Sequence, residues 1–183
     1  MCIRDRLLGN TEIGKSCKIY SYAVIGSAPQ DLKYKGERTF VIVGDNNIIR
    51  EFVTVNPGTE EGSATLVGNN NLIMAYSHIA HNCKIGDNNI LANAATLAGH
   101  VEIEDRVVIG GLVAIHQFCR IGSYSIIGGC SKVVQDIPPY SLCDGHPAKV
   151  YNVNVVGLRR AGFSKEKIET IRKAFKIIFF EKH

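Results

Sequence analysis

From Val67 onward an aliphatic residue recurs at every sixth position without a miss: Val67, Ile73, Ile79, Ile85, Leu91, Leu97, Ile103, Ile109, Ile115, Ile121, Ile127 and Val133. Four positions after most of these stands a compact residue, as at Ser77, Cys83, Ala95, Val101, Val113, Cys119 and Ser131. A helix needs a period near 3.6 and a strand a period of 2, so an unbroken period of six predicts neither alone. It predicts a mainly β solenoid, in which short flat strands meet at tight corners and each corner takes a Gly or Asn that tolerates unusual φ. The same period appears earlier, at Ile13, Ile19, Ile25 and again at Val43, Ile49, Val55.

A corner signature aligns these pieces: "GDNN" from Gly44, "GNNN" from Gly68 and "GDNN" from Gly86. The last two are 18 apart, so one coil is three hexapeptides; the first two are 24 apart, so about six residues near "PGTEEGSAT" are inserted. By the same count about twelve residues around "PQDLKYKGERTF" bulge out between Ile25 and Val43. The predicted division is a β-helix over 9–140 with inserted loops at about 28–42 and 57–66, then a connector over 141–163. A helical segment comes next, over 164–183, where Ser164 caps a stripe of Ile168, Ile171, Phe175, Ile178 and Phe179. That stripe is expected to pack against the solenoid or a neighbouring subunit. The opening "MCIRDRLL" does not fit the six-residue pattern of the chain and is given no structural weight.

Composition narrows the function classes. The formal charge of +4 over 183 residues is too mild for a dedicated nucleic-acid binder, but suits an acidic protein partner or a phosphorylated substrate. No apolar run reaches the length of an integral membrane segment. The six cysteines include no Cys-x-x-Cys pair, which fits small core residues in a reducing, cytoplasmic setting rather than metal ligation.

The period also fixes where the histidines point. Numbering each coil 1 to 18 from Val67, Ile85 and Ile103 puts His78 and His81 at positions 12 and 15, His100 at 16 and His116 at 14. Four of six histidines thus fall near one edge of the prism, in three successive coils about 4.8 Å apart. Three readings stay open: surface imidazoles, a three-histidine zinc site, or general-base chemistry on a hydroxyl. Gly99, 18 residues after His81, stacks over it with no side chain between, so its backbone N–H is a candidate oxyanion donor.

The runs "QDLKY", "HIAHNCKIG", "LANAATLAGHV", "GGLVAIHQFC", "IGGCSKVVQDIPPY" and "VNVVGLRRAGFS" together resemble the UDP-N-acetylglucosamine O-acyltransferases that begin lipid A biosynthesis. The resemblance runs from about Ile13 to Phe180. It implies a left-handed parallel β-helix of hexapeptide repeats with a C-terminal α-helical segment, assembled as a homotrimer with active sites between subunits. It implies transfer of a 3-hydroxyacyl chain from acyl carrier protein to the 3-hydroxyl of UDP-N-acetylglucosamine, with no cofactor and no metal. His81 would be the base and Gly99 the oxyanion donor. Gln30, Asp31 and Lys33 would hold the sugar nucleotide, and His78, His116 and Gln117 would line the same cleft. His100 would lie nearer the acyl chain, Asn154 and Arg160 would bind the nucleotide end, and Gly129 would set acyl length.

Three positions depart from the family pattern. Asn82 stands where an Asp usually comes directly after the catalytic histidine, Asn56 where many relatives carry a further His, and Val156 where an acidic nucleotide contact is common. Relatives also begin with more coils and end with a fuller helical domain, so the chain reads as trimmed at both ends. The competing readings are another hexapeptide acyltransferase with a different donor or an amino-sugar acceptor, a metal-dependent hydratase, and an inactive UDP-sugar-binding relative.

Overall fold

In a computed structural model, residues 6–180 are described. Residues 1–5 of the opening stretch and 181–183 of the helical segment lie outside them. Arg6–Leu7 does enter the fold, pairing in parallel with Val24–Ile25 as the first rung of a sheet.

The chain winds as a left-handed parallel β-helix whose rungs form three flat sheets. The first face stacks Arg6–Leu7, Val24–Ile25, Thr54–Val55, His78–Ile79, Thr96–Leu97, Ala114–Ile115 and Lys132–Val133. The second runs from Asn10–Ile13 through Phe40–Val43, Ala64–Val67, Lys84–Ile85 and Glu102–Ile103 to Arg120–Ile121. The third runs from Lys18–Ile19 through Ile48–Ile49, Leu72–Ile73, Ile90–Leu91 and Val108–Ile109 to Ile126–Ile127. Register keeps the 18-residue coil: His78 pairs Thr96, Lys84 pairs Glu102 and Ile90 pairs Val108. All twelve aliphatic residues from Val67 to Val133 are buried, at 0–4% exposure. Removing each such side chain from water contributes about 1.5–3 kcal/mol, and that repeated term holds the prism together.

The corners are built differently from the expectation. Their left-handed residue is seldom glycine: Asn70, Asn88, Arg106 and Tyr124 take φ of 57–61° at one edge, and Asn82, His100 and Phe118 take 59–66° at another. The glycines of the corner signature serve close stacking instead. A Cβ on Gly68 would stand 2.6 Å from Gly86 O in the next coil, a distance only a missing side chain allows. An asparagine ladder sustains the stack, with Asn47 Oδ1 accepting from Asn71 N (2.9 Å) and Asn71 Oδ1 from Asn89 N (2.8 Å).

Both insertions leave the edge between the first and second faces, after Ile25 and after Val55. They end earlier than the period alone indicates, because Phe40–Val43 and Ala64–Val67 are four-residue strands paired along their whole length. The stretch 141–163 is a folded unit rather than a bare connector. Ser141–Gly145 extends the third face parallel to Ile126–Ile127, and Ala148–Val153 turns back antiparallel on it. Cys143, fully buried, closes the end of the core.

Helix α1, Val155–Arg160, is capped by Asn154, and helix α2, Lys165–Phe175, by Ser164. Their apolar sides bury Leu158, Ile168 and Phe175 against Val153. Ile171 packs beside them, and the end of the stripe stays largely open: Ile178 is 66% exposed, and Phe179, though its ring lies 5.2 Å from that of Phe175, is 41% exposed. Among the described residues no helix is long and apolar enough to cross a membrane.

Candidate active site

The edge between the first and second faces carries the histidines. His81 comes just after the strand His78–Ile79, and the turn it occupies is repeated one coil on by Gly99 and two coils on by Gln117. Gly99 has to be bare: a Cβ there would stand 2.6 Å from His81 Nε2. The hydrogen bonds of this corner leave the Gly99 N–H uncommitted among the described residues, since His100 N donates to His81 O (3.0 Å) and Phe118 N to Gly99 O (3.2 Å).

The His81 ring is held on several sides. Its Nδ1 lies 2.9 Å from Asn82 Oδ1. Its Nε2 faces Asp31 Oδ2 at 3.8 Å, with His81 and Asp31 side chains only 16% and 25% exposed. The ring meets His100 edge-on at 5.2 Å, and His100 in turn stacks on Phe118 at 4.7 Å. His78, at the start of the same strand, hydrogen-bonds Thr54 through Nδ1 at 2.7 Å. Burial, reinforced by the charge of His81, pushes the His78 imidazole below its ordinary range, so it stays neutral near pH 7. His116 is exposed, its Nδ1 lying 3.2 Å from Gln117 O. Among the described residues no three His, Cys, Asp or Glu side chains converge as a metal site requires.

The inserted loops roof this edge. The first presents Gln30 and Lys33 to solvent and fixes Asp31 through a turn in which Lys33 N donates to Asp31 Oδ1 at 2.9 Å. The second brings Thr59, whose hydroxyl donates to Asn82 Oδ1 at 3.0 Å, and Glu60, whose Oε2 accepts from Asn82 Nδ2 at 3.0 Å. Burial works against the Glu60 carboxylate, but hydrogen bonds from its own backbone N–H and the Asn82 amide hold it below the usual carboxylate range. Asn56, 2% exposed, donates to Ser27 O and Oγ (both 3.1 Å), while its Oδ1 has no partner among the described residues. An open groove of about 660 Å³ continues from His100 and Phe118 down the second face past Lys84 and Glu102.

His78, His81, Gly99, His100, His116, Gln117 and Asp31 therefore share one edge. Gln30 and Lys33 sit on the loop above it. Asn154 and Arg160 do not join them. They line a separate groove with Asn88, Arg106 and Tyr124, across the width of the second face. Asn154 is also occupied structurally, donating to Tyr124 O (2.8 Å) and accepting from Gly157 N (3.0 Å). Gly129 stacks under Gly111 at the third edge, with Gly111 O 3.2 Å from where its Cβ would be. Sequence reasoning misses Thr59 and Glu60. The signal available is that both insertions come after rungs of the face that carries His78 in a later coil.

Comparison with known proteins bears on the family and the fold. The family model for UDP-N-acetylglucosamine O-acyltransferase domain 2 matches residues 136–183, and the bacterial transferase hexapeptide model matches 64–99. An acyl-[acyl-carrier-protein]–UDP-N-acetylglucosamine O-acyltransferase from Nautilia profundicola is 55% identical over 91% of this chain, which covers 65% of that protein. The Synechocystis protein of the same name is 46% identical and is covered over 62% of its length, so the chain spans less than two thirds of these relatives. The Campylobacter concisus protein is 50% identical and is covered over 67%. Among solved structures, the enzyme from Acinetobacter baumannii superposes with a TM-score of 0.95 at 45% identity, over 98% of this chain and 70% of that one. The UDP-N-acetylglucosamine acyltransferase from Campylobacter jejuni does so at 0.85 and 36% identity, over 100% of this chain and 85% of that one. With its rungs, its histidine edge and two thirds or more of several relatives matched, the chain belongs to the UDP-N-acetylglucosamine O-acyltransferase family.

Proposed function

We propose that the chain carries the site for transferring a 3-hydroxyacyl group from acyl carrier protein to the 3-hydroxyl of UDP-N-acetylglucosamine, the first step of lipid A biosynthesis in the cytoplasm. One observation carries this reading: His81 is tied through Nδ1 while its Nε2 looks out towards Asp31 beneath a loop-covered edge. In that geometry Nε2 takes the proton of the sugar 3-hydroxyl, and the oxygen attacks the thioester carbonyl carbon. The oxyanion of the tetrahedral intermediate forms beside the Gly99 N–H, which electrostatic stabilisation requires to be preorganised. Collapse breaks the carbon–sulfur bond, and the imidazolium returns its proton to the departing thiolate. Asp31, with Gln30 and Lys33, orients the sugar. His78, His116 and Gln117 line the cleft, and His100 with Phe118 opens it towards the apolar acyl chain.

Asn154 and Arg160 serve the nucleotide end from a neighbouring copy, because the second face separates them from His81 within one chain. A guanidinium suits the diphosphate. The working unit is accordingly a homotrimer, and Gly129 also belongs to the cleft from its own edge, where the absence of a side chain leaves room for a longer acyl chain.

The test is mass-spectrometric detection of acylated UDP-N-acetylglucosamine from a panel of 3-hydroxyacyl carrier proteins. Wild-type chain is expected to form the ester, and His81→Ala to lose at least about 100-fold in rate. Equal product from both would remove His81 as the base.

A further inference from the structure

Directly after His81 stands Asn82, whose carboxamide contacts the imidazole. A carboxamide has one accepting and one donating end, so by itself it does not decide which imidazole nitrogen carries the proton. The polarity of the neighbouring groups does decide it. Glu60 Oε2 lies 3.0 Å from the Asn82 amide, and a carboxylate only accepts, so the NH2 group of Asn82 must face Glu60. Oδ1 is then the end that faces His81, 2.9 Å from Nδ1, and Oδ1 only accepts. Nδ1 must carry a proton, so in the neutral ring Nε2 is the bare nitrogen, opposite Asp31. Thr59 fits the same polarity, its hydroxyl donating to Oδ1 at 3.0 Å.

We infer that Glu60, reaching in from the second inserted loop, is a positioning residue that sets the tautomer of His81 through Asn82. The inference rests on the reading of His81 as the base, and gives the orienting role to a carboxylate 22 positions from Asn82 in sequence. Glu60 is itself placed by its loop: its backbone N–H donates to Ser63 Oγ (3.0 Å) and its carbonyl accepts from Ser63 N (2.8 Å). Gly58 makes the turn possible, since a Cβ there would meet Ser63 O at 2.8 Å.

The test reverses the polarity of the relay. Glu60→Lys offers Asn82 only donors, so the carboxamide turns its oxygen outward and presents NH2 to His81. Nitrogen NMR of the histidine side chains in the free protein then reads the tautomer directly, with His81→Gln used to assign the signal. Wild type is expected to show His81 protonated at Nδ1, and Glu60→Lys to move the population to Nε2–H. Turnover should fall on the order of tenfold, with the KM for the sugar nucleotide unchanged. Glu60→Gln retains an accepting oxygen and should stay close to wild type in both readouts. The double variant Asn82→Asp with Glu60→Lys restores a group that only accepts next to Nδ1, and should recover both the Nδ1–H form and the rate. An Nδ1–H signal that persists in the folded Glu60→Lys protein overturns the inference, as does a rate loss that the second substitution does not repair. Because the spectrum needs no turnover, a failure of His81 as base would show in the activity of its own variant and leave this readout intact.

Discussion

At the scale of single residues the site depends on what each neighbour can donate or accept and on how much space it leaves. Gly99 illustrates the second. Gly99→Ala keeps the backbone N–H but puts a methyl group 2.6 Å from His81 Nε2, so the ring must move. Since misplacement by about 1 Å costs roughly 100-fold, steady-state kinetics should show a loss of that order in kcat while the circular dichroism spectrum is unchanged. His78 illustrates the first. Its pKa is lowered, mainly by burial, so below about pH 6.5 the unfolded chain binds a proton that the folded chain refuses. Stability therefore falls as pH drops through that range. Denaturant titrations of His78→Gln should show a shallower loss there than wild type. Burial favours the neutral form of thiols too, which shifts them the other way. Cys83 is pushed up to about 12 and Cys143 to about 11, both by desolvation, whereas Cys130 is exposed at a corner. Among the described cysteines, Cys130 should be the first alkylated at about pH 7.5, which peptide mass mapping would read.

At the scale of elements, each coil repeats one interior layer, and neighbouring layers touch above and below. Ile109→Ala, in a rung buried to 0% exposure, should cost about 2–5 kcal/mol in denaturant unfolding. The twelve-fold aliphatic period makes the rungs legible, because burial on the inside of a flat-sided coil admits no other spacing. The terminal hairpin is not legible. Ser141–Gly145 buries only alternate residues, Ser141 and Cys143, too few to register as a strand beside the proline-containing stretch before it. The helix stripe predicts the burial of Ile168 and Phe175, yet Ile178 and Phe179 show that apolar spacing alone does not say what covers a helix.

At the scale of the whole molecule the proposed cleft needs two copies. Arg160→Ala and His81→Ala chains, each inactive or weakened alone, should recover activity when mixed by joint refolding. Roughly a quarter of the clefts in random trimers would then pair an intact His81 with an intact Arg160. Separately assembled variants combined afterwards should not recover if subunits do not exchange. The sequence by itself determined the coil, its 18-residue repeat and the clustering of His78, His81, His100 and His116 on one edge, because a strict period converts position along the chain into position around the prism. It also marked the two insertions by their length. Only the tertiary structure decided that both loops leave the edge that bears His81, that Asp31 faces the imidazole Nε2 while Glu60 reaches Asn82 on the Nδ1 side, and that Asn154 and Arg160 lie across the second face. Insertions interrupt the period, and where an irregular loop comes to rest depends on hydrogen bonds such as Thr59 to Asn82 that no spacing encodes.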